Sequence, residues 1–154
     1  MGEGASNEGK VWLPIYINDT NLTRRKPPSE SIAKLKRRLW PTFSKYIRLR
    51  EADFKGYARC VTCNKAYPWQ RLQAGHFVPG RRNSILYDER NCHQQCYICN
   101  IVLKGNPRKY EAYMQARYGQ DVIDELDSKN DEMKQFTPQE LVALIQLYKD
   151  KLKP

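Results

Sequence analysis

The sequence predicts an α+β protein that is mainly helical, with a small zinc-stabilised core flanked by N- and C-terminal helices. Apolar residues recur at helical spacing in residues 31–56 and again after residue 107. Between these regions the chain is irregular and rich in turn-forming residues, and it holds two C-x-x-C pairs. A length of 154 residues with 40% hydrophobic residues fits one domain whose apolar core is lean.

Four segments follow from this pattern. Residues 1–30 contain Gly, Asn, Ser and the pair Pro27-Pro28, which predict a flexible N-terminal arm. Its apolar patch, "VWLPIYI", could pair as a strand or dock on the domain. Residues 31–56 form a basic helical region, residues 57–106 the zinc-bound core, and residues 107–154 the C-terminal helices.

The basic region predicts two helices. Ser29 or Ser31 can cap the first, "SIAKLKRRLW", and the Trp40-Pro41 pair should end it. Proline suits the first turn of the second helix, "PTFSKYIRLREADF". The apolar face of this second helix is expected to comprise Phe43, Tyr46, Ile47 and Phe54.

The elements after residue 70 are predicted from the alternation of apolar and polar residues and from the glycine and proline residues that mark the ends of segments. "LQAGHFVPG" alternates like a strand entering a turn, "SILYDERN" is a return strand or a loop, and "YICNIVLKG" is a short helix ending near Gly105. "PRKYEAYMQARYG" predicts a helix closed by Gly119, and "QDVIDELDSK" a further one. The last helix, "TPQELVALIQLYKDKL", carries a capping box formed by Thr137 and Glu140.

Charge is distributed unevenly along the chain, whose net charge is +10. Residues 22–59 carry twelve Lys/Arg against three Asp/Glu, residues 71–109 carry seven against two, and residues 110–154 carry six against nine. The excess of basic residues in residues 22–59 and 71–109 indicates a polyanionic partner, and nucleic acid is the favoured candidate. No apolar run is long enough to span a bilayer, and the N-terminal segment "MGEGASNEGK" lacks the basic-then-apolar order of a signal peptide, so we expect a cytoplasmic protein without a membrane partner.

Four of the five cysteines form two knuckles, Cys60-x-x-Cys63 and Cys96-x-x-Cys99. Each knuckle can present two thiolates to one side of a turn, and two knuckles fill the four positions of a structural zinc ion. A redox dithiol is the alternative, but it would not need two pairs. The fifth, Cys92, is expected to pack as a small buried residue.

Both histidines of the chain, His76 and His93, lie inside the loop between the knuckles, close to Asn91 and Asn100. A lone histidine is more often a hydrogen-bonded structural residue than a catalyst. Two histidines with two asparagines nearby suit phosphodiester hydrolysis, because imidazole can take a proton from water and a divalent ion can stabilise phosphate charge.

The motifs "GHF" at residues 75–77, Asn91 and "CYICN" at residues 96–100 resemble the HNH (ββα-metal) nucleases, including zinc-bearing members such as phage endonuclease VII. From about Trp40 to Leu152, the chain resembles the NinG/Rap recombination proteins of lambdoid phages more closely. The shared segments include "CVTC", "AGH" and "YGQDVIDELDS". The resemblance implies an HNH core and a phage-encoded nuclease that acts on branched recombination intermediates such as Holliday junctions or D-loops.

Transferred residue by residue, the resemblance makes His76 the general base and Asn91 the residue that holds the hairpin or orients the base. Asn100 becomes a ligand of a catalytic Mg²⁺ or Mn²⁺. Many HNH nucleases place a metal-binding Asp before the histidine, where this chain has Gly75. We expect His93 to replace that ligand, with Asp88 or Glu89 as less favoured candidates.

Basic and aromatic residues around the motif are candidate DNA contacts. Phosphate contacts are expected from Arg81, Arg82, Arg90, Lys104 and Arg108, with Lys109 beside them. Bases could stack on Tyr67, Trp69 or Tyr87, although packing around the knuckle is favoured for all three.

Two further hypotheses about the function stay open. One is a zinc-stabilised DNA-binding module without catalysis, and the other is an HNH nuclease for ordinary duplex DNA. Because a junction is cut on two strands, we also expect a homodimer, assembled through residues 29–54 or the last helix.

Overall fold

The computed structural model of the protein describes residues 30–154. The predicted arm, except for its last residue, lies outside the described residues, and so does the apolar patch at residues 11–17. The chain order is a long helix, two short β-hairpins, a short helix and three C-terminal helices.

The first helix, α1 (Ile32–Leu49), is continuous, so the predicted break at Trp40-Pro41 is wrong. Ser31 is its N-cap and accepts a hydrogen bond from the Lys34 backbone N–H at 3.3 Å. Pro41 removes one hydrogen bond inside the helix. The helix continues because its buried residues on both sides of the proline pack into one core; they are Leu35, Leu39, Phe43 and Ile47.

Helix α1 ends earlier than predicted, at Leu49. The Asp53 carboxylate accepts hydrogen bonds from the backbone N–H groups of Lys55 and Tyr57, at 2.9 and 2.8 Å, and thereby stabilises a turn instead of a further helical turn. Phe54 consequently leaves the helical face to which it was assigned, and 94% of it is exposed.

Two antiparallel hairpins form the middle of the chain. Strands β1 (Tyr57–Arg59) and β2 (Ala66–Pro68) pair first, and a single 3₁₀ turn, Trp69–Arg71, leads into the second hairpin. Strand β3 (Leu72–His76) pairs with β4 (Cys92–Cys96) in a register that sets Gly75 opposite His93. The predicted strand in "LQAGH" is confirmed, and "SILYDERN" is a loop.

Strand β4 leads into a short helix, Ile98–Val102, with π-type hydrogen bonds such as Leu103 N–H to the Ile98 carbonyl at 2.8 Å. Gly105, at φ +90°, ends this segment, as predicted. Three helices follow, α2 (Pro107–Tyr118), α3 (Gln120–Asn130) and α4 (Pro138–Lys151). The predicted capping box of α4 is present: Glu140 N–H donates to Thr137 Oγ1, and Thr137 N–H donates to the Glu140 carboxylate.

Apolar side chains gather in three clusters that surround the second hairpin. The first joins α1 to α4 through residues including Phe43, Ile47, Leu141, Ile145 and Tyr148. The second joins α2 and α3 to the loop after β3, and the third surrounds the two cysteine knuckles. Within residues 30–154 no helix is long and apolar enough to cross a membrane. The predicted α+β class with flanking helices is confirmed.

Candidate functional site

The four cysteines of the two knuckles converge on one point. Cys60 and Cys63 lie at the turn between β1 and β2, Cys96 ends β4, and Cys99 lies in the π-helical segment. Their sulfur atoms all lie within 4.8 Å of one another, and the Sγ atoms of Cys63 and Cys96 are 3.9 Å apart. A tetrahedral zinc ion with Zn–S distances of about 2.3 Å requires S–S distances of about 3.8 Å. The cluster can therefore hold a metal ion and is compatible with structural zinc.

Hydrogen bonds around the cluster favour thiolate at one of its members. Burial raises the pKa of Cys60, but hydrogen bonds from the Thr62 hydroxyl, at 3.2 Å from Sγ, and from backbone N–H groups outweigh burial and lower the pKa to about 6. The Asn106 side-chain amide also points to Cys99 Sγ, at 3.6 Å. A zinc ion binds thiolates, so these donors suit a metal site.

Cys92 lies apart from this cluster, as predicted. It is fully buried in the core between α1 and α4, and burial raises its pKa to about 12.

His76, the predicted general base, ends β3 and stacks against Trp40 of α1, with ring centroids 5.6 Å apart and planes 20° apart. Its Nε2 lies 3.0 Å from the backbone carbonyl oxygen of Leu86. A carbonyl oxygen only accepts, so Nε2 must carry the proton and donate it, which leaves the lone pair of neutral His76 on Nδ1. Burial lowers the pKa of His76, and nearby Arg81 lowers it further. The imidazole is therefore neutral at physiological pH, as a base must be.

Asn91 is fully buried and braces the loop between β3 and β4. Its Oδ1 accepts from Val78 N–H at 2.8 Å, and its Nδ2 donates to the carbonyls of Val78 and Ile85, both at 3.4 Å. Its own carbonyl accepts from Phe77 N–H at 2.8 Å. Because Phe77 follows His76 directly, Asn91 fixes the backbone that carries the imidazole.

His93, predicted to bind the catalytic ion, is fully buried with both ring nitrogens occupied. Nδ1 lies 3.0 Å from the Tyr110 hydroxyl and Nε2 lies 3.0 Å from the Tyr118 hydroxyl. Since the Tyr110 hydroxyl donates to the Gly75 carbonyl at 2.9 Å, it accepts from His93 Nδ1–H. This geometry does not support a ligand role for His93. The residue instead links α2 to the backbone just before His76.

The pKa of His93 gives stability a specific pH dependence. Burial lowers this pKa to about 2 from an ordinary value of 6.5. The unfolded chain therefore binds a proton below pH 6.5 that the folded chain does not bind until about pH 2, so folding stability falls as pH falls through this window. The expected slope is about 1.4 kcal/mol per pH unit, or about 2 kcal/mol at pH 5. Urea unfolding at several pH values measures it.

The matched variant for this measurement is His93→Gln, which keeps hydrogen-bonding capacity but does not titrate. We expect it to be less stable than the native protein near neutrality and to show a shallower loss between about pH 7 and pH 5. Any pH effect on the cysteine cluster is common to both proteins and cancels in the difference. Equal slopes would show that His93 does not contribute.

Asn100 and Gly75 face each other across the second hairpin. Asn100 Nδ2 donates to Gln73 Oε1 at 2.8 Å, which turns Asn100 Oδ1 towards Gly75. A Cβ placed on Gly75 would lie 2.8 Å from Asn100 Oδ1 and 2.2 Å from Gln95 Oε1. The space that a side chain at residue 75 would need is therefore already occupied by the Gln95 side chain, with Asn100 Oδ1 close beside it, so this position accepts glycine only.

Neither acidic candidate for the missing ligand is free. Asp88 binds Arg90 at 2.8 Å and approaches Lys129 at 4.0 Å. Glu89 accepts a hydrogen bond from the Tyr46 hydroxyl at 2.9 Å and pairs with Lys151 of α4. Both carboxylates are therefore engaged in holding helices around the loop.

The predicted phosphate contacts fall into two groups. Arg90 binds two carboxylates, with Asp88 and Glu125 each 2.8 Å from its guanidinium, so the structure does not support its assignment to DNA. Arg82, Lys104 and Arg108 are exposed, as a phosphate contact requires.

Arg81 occupies the most informative position among the basic residues. Its backbone is left-handed, at φ +52°, which is unfavourable for a residue other than glycine. This conformation places its guanidinium 4.2 Å from the centre of the Trp40 ring, the same ring on which His76 stacks. Arg81, Trp40 and Asn100 line one open cleft of about 380 Å³. Trp40 was not predicted to be part of the site.

Of the aromatic candidates for base stacking, Tyr87 is buried against Phe43 and Phe136. Trp69 is partly exposed, with the Arg48 guanidinium 5.1 Å from its ring centre. Tyr67 packs beside the cysteine cluster. Tyr67 therefore packs around the knuckle, as predicted, whereas Tyr87 is buried in the first apolar cluster, away from the zinc cysteines.

Comparison with known proteins adds the family. A sequence model described as "Bacteriophage Lambda NinG protein" matches residues 18–154. The chain belongs to the NinG family. It is similar to the proteins named ninG of Escherichia phage 933W, at 33% identity over 109 residues, of phage lambda at 32%, and of Salmonella phage P22 at 31%.

These alignments cover 70% of this chain and 50–51% of the NinG relatives. The chain therefore spans about half the length of the curated NinG proteins it matches. No solved structure matches the chain. Membership in the NinG family confirms the family resemblance drawn from "CVTC", "AGH" and "YGQDVIDELDS".

Proposed function

We propose that this NinG-family chain is a metal-dependent endodeoxyribonuclease of the HNH type that cleaves branched DNA recombination intermediates. The observation that carries the proposal is the sequence of strand β3, strand β4 and the short helix Ile98–Val102. This order is the hairpin-then-helix arrangement that defines the ββα-metal core. His76 lies at the end of β3, and Asn100 lies on the short helix that follows β4.

His76 has the properties of a general base. Its Nδ1 lone pair is available because Nε2–H is committed to the Leu86 carbonyl, and the ring is held flat against Trp40. A neutral imidazole in a fixed orientation can take a proton from an attacking water molecule. Asn91 contributes by holding the loop, so it acts as a positioning residue.

Asn100 would hold the divalent ion through its side-chain oxygen at the edge of the cleft that it lines with Arg81 and Trp40. An amide oxygen that borders an open cleft suits a hard divalent ion, because water and phosphate oxygens can supply the other ligands. When bound, Mg²⁺ or Mn²⁺ stabilises negative charge on the scissile phosphate and on the leaving oxygen.

The cleft lined by Trp40, Arg81 and Asn100 would receive the phosphate backbone. The cleft is open to solvent, and the residues that border it include Arg48 as a second cation. A planar guanidinium can donate two parallel hydrogen bonds to one phosphate group, and stacking on an aromatic ring holds the guanidinium in place. The net charge of +10 supports association with DNA of any sequence.

The preference for branched DNA is tested by a cleavage assay with a four-way junction and a linear duplex of matching sequence. With Mg²⁺ or Mn²⁺ present, we expect the junction to be cut faster than the duplex, and the His76→Ala protein to bind both without cutting. Binding by the native protein without cleavage would indicate a DNA-binding module. Equal cleavage of both substrates would indicate a nuclease for ordinary duplex DNA.

The homodimer remains part of the proposal, with residues 29–54 or the last helix as its interface, and the apolar faces of α1 and α4 pack against each other within one chain. Any dimer contact through these helices must use their polar outer faces.

A further inference from the structure

The short helix Ile98–Val102 and the residues that flank it present an apolar surface to solvent. Five large apolar side chains within residues 97–103 are between 47% and 60% exposed; they are Tyr97, Ile98, Ile101, Val102 and Leu103. Single exposed apolar residues are ordinary on a protein, whereas a contiguous group of them marks an interaction surface. We call these five residues the short-helix patch.

The short-helix patch adjoins the candidate site. Ile101 lines the open cleft of about 380 Å³ that also contains Asn100. Ile98 lines a second open cavity, of about 410 Å³, whose border includes Arg71. Gln73 borders both cavities and accepts a hydrogen bond from Asn100 at 2.8 Å. The patch is therefore continuous with the cleft in which we propose that the phosphate backbone binds.

The surroundings of the patch are basic. The two cavities are lined by three arginines and by no carboxylate; the arginines are Arg48, Arg71 and Arg81. Every lining residue comes from residues 31–50, 54–87 or 90–110, and the sequence of these three segments contains no Asp or Glu. Lys104 and Arg108, which follow the patch, are exposed. An apolar centre with a basic border fits a partner that combines anionic groups with apolar surfaces.

Nucleic acid has this chemistry, because its phosphates are anionic and the faces of its bases stack on apolar and aromatic side chains. In a linear duplex the base faces are stacked on one another, but the stack is interrupted at a branch point. A second copy of this chain fits less well. A two-fold contact through the patch would bring the same surface of each copy together, and the arginines of one copy would face those of the other.

We infer that the short-helix patch packs against the unstacked bases at the branch point of a DNA junction, while the arginines on its border bind the adjoining phosphates. Apolar side chains can separate base steps in this way, and unstacking costs least where a base is already unpaired. This role rests on the proposed nuclease function and gives a physical reason for its preference for branched DNA. Since Asn100 lies between Ile98 and Ile101 in the chain, the branch point would lie beside the proposed ion.

The test measures equilibrium binding of the full chain to three DNAs without added Mg²⁺ or Mn²⁺, so that no strand is cut. The DNAs are a four-way junction, a linear duplex of matching sequence, and the same duplex with a short bulge of unpaired thymines. Fluorescence anisotropy gives the three dissociation constants at one fixed salt concentration. We expect the native protein to bind the junction and the bulged duplex more tightly than the plain duplex.

Ile98→Ser combined with Val102→Ser removes two side chains of the patch that do not line the cleft of Asn100. The double variant should bind the junction and the bulged duplex about tenfold more weakly, because less apolar surface packs against the bases. Its binding to the plain duplex should stay within about twofold of native, because that binding depends on phosphate contacts. Val102→Ser alone should show a smaller loss in the same direction.

Val142→Ser is the matched control, because it makes the same substitution at a valine of similar exposure on α4. Val142 is 54% exposed and Val102 is 60% exposed. This control should keep the native preference among the three DNAs. Zinc content and circular dichroism show whether the double variant is folded, since Cys99 lies between its two substitutions. If the double variant loses zinc, Val102→Ser alone provides the comparison.

An unchanged preference for the junction in the folded patch variants would overturn the inference. A loss of equal size in Val142→Ser would overturn it too, because the preference would then not depend on the patch. Sedimentation without DNA tests a second copy as the occupant. A native dimer that dissociates in the double variant but not in Val142→Ser would replace the DNA contact by an interface between copies.

The two proposals can fail separately. A junction preference that depends on the patch, without cleavage of any DNA when Mg²⁺ or Mn²⁺ is added, retains the patch and removes the nuclease. Faster cleavage of the junction, with the same junction preference in native protein and double variant, retains the nuclease and removes the patch as the reason for its preference.

Discussion

Cys63→Ser is expected to release the bound metal and unfold the middle of the chain. Cys63 is the only partly exposed member of the four-cysteine cluster in residues 30–154, so its replacement disturbs packing least. Structural zinc contributes about 10–16 kcal/mol of apparent free energy in zinc-dependent domains, which is comparable to the whole stability of a small protein. The third apolar cluster cannot compensate for the lost metal. Three of its five buried residues are the cysteines Cys60, Cys96 and Cys99, and a fourth is the small Ala58.

Zinc content by mass spectrometry and thermal unfolding by circular dichroism measure this effect. The native protein should bind about one zinc ion per chain and unfold on treatment with a strong chelator. Cys92→Ala is the control, since it removes a buried thiol that lies outside the cluster. It should retain zinc and lose only the few kcal/mol or less of a packing defect. Full thermal stability of Cys63→Ser without bound metal would contradict a structural role.

Much of the fold could be predicted because its signals are local. The capping box of α4 and the ends marked by Gly105 and Gly119 depend on a few neighbouring residues. The continuity of α1 could not be predicted, because proline is a local break signal and the packing that overrides it comes from α4, about a hundred residues later. Strand β4 could not be predicted either. All five of its residues are buried, so exposed and buried positions do not alternate along it as they do in a strand with one solvent-facing side.

The candidate site divides in the same way. The C-x-x-C spacing was enough to predict the four-cysteine cluster, because two thiolates at this spacing lie on one side of a local turn and two such turns complete a tetrahedral site. The roles of His93 and Arg90 depend on partners in α2 and α3, namely Tyr110, Tyr118 and Glu125, and nothing near either residue in sequence indicates them. The absence of an acidic side chain at Gly75 was visible in the sequence. The position of Gln95 beside Gly75 was not, because the orientation of this side chain is set by its hydrogen bond to the Gly105 carbonyl.

His76→Ala is expected to lower the rate of DNA cleavage by about 10²–10⁴-fold while leaving the fold intact, because it removes the proposed base. The ring contributes one hydrogen bond to the Leu86 carbonyl and one stacking contact to Trp40, so its loss should lower the free energy of unfolding by only about 1–3 kcal/mol. Single-turnover cleavage of a four-way junction, with saturating protein, separates this loss of chemistry from weaker binding. Because burial holds the pKa of His76 below its ordinary value of 6.5, the native rate should stay level around neutrality and decline only in more acidic solution, below that ordinary value.

The other histidine provides the contrast that makes this result specific. His93→Ala removes a buried ring and its hydrogen bonds to the Tyr110 and Tyr118 hydroxyls of α2, so we expect it to destabilise the protein by about 2–5 kcal/mol. At a temperature where it is still folded, its cleavage rate should fall far less than that of His76→Ala. The two histidines of the hairpin would then have different effects: replacing His76 would mainly lower the cleavage rate, and replacing His93 would mainly lower the stability. A rate loss of equal size in both variants would show that cleavage depends on the integrity of the hairpin and not on the Nδ1 atom of His76.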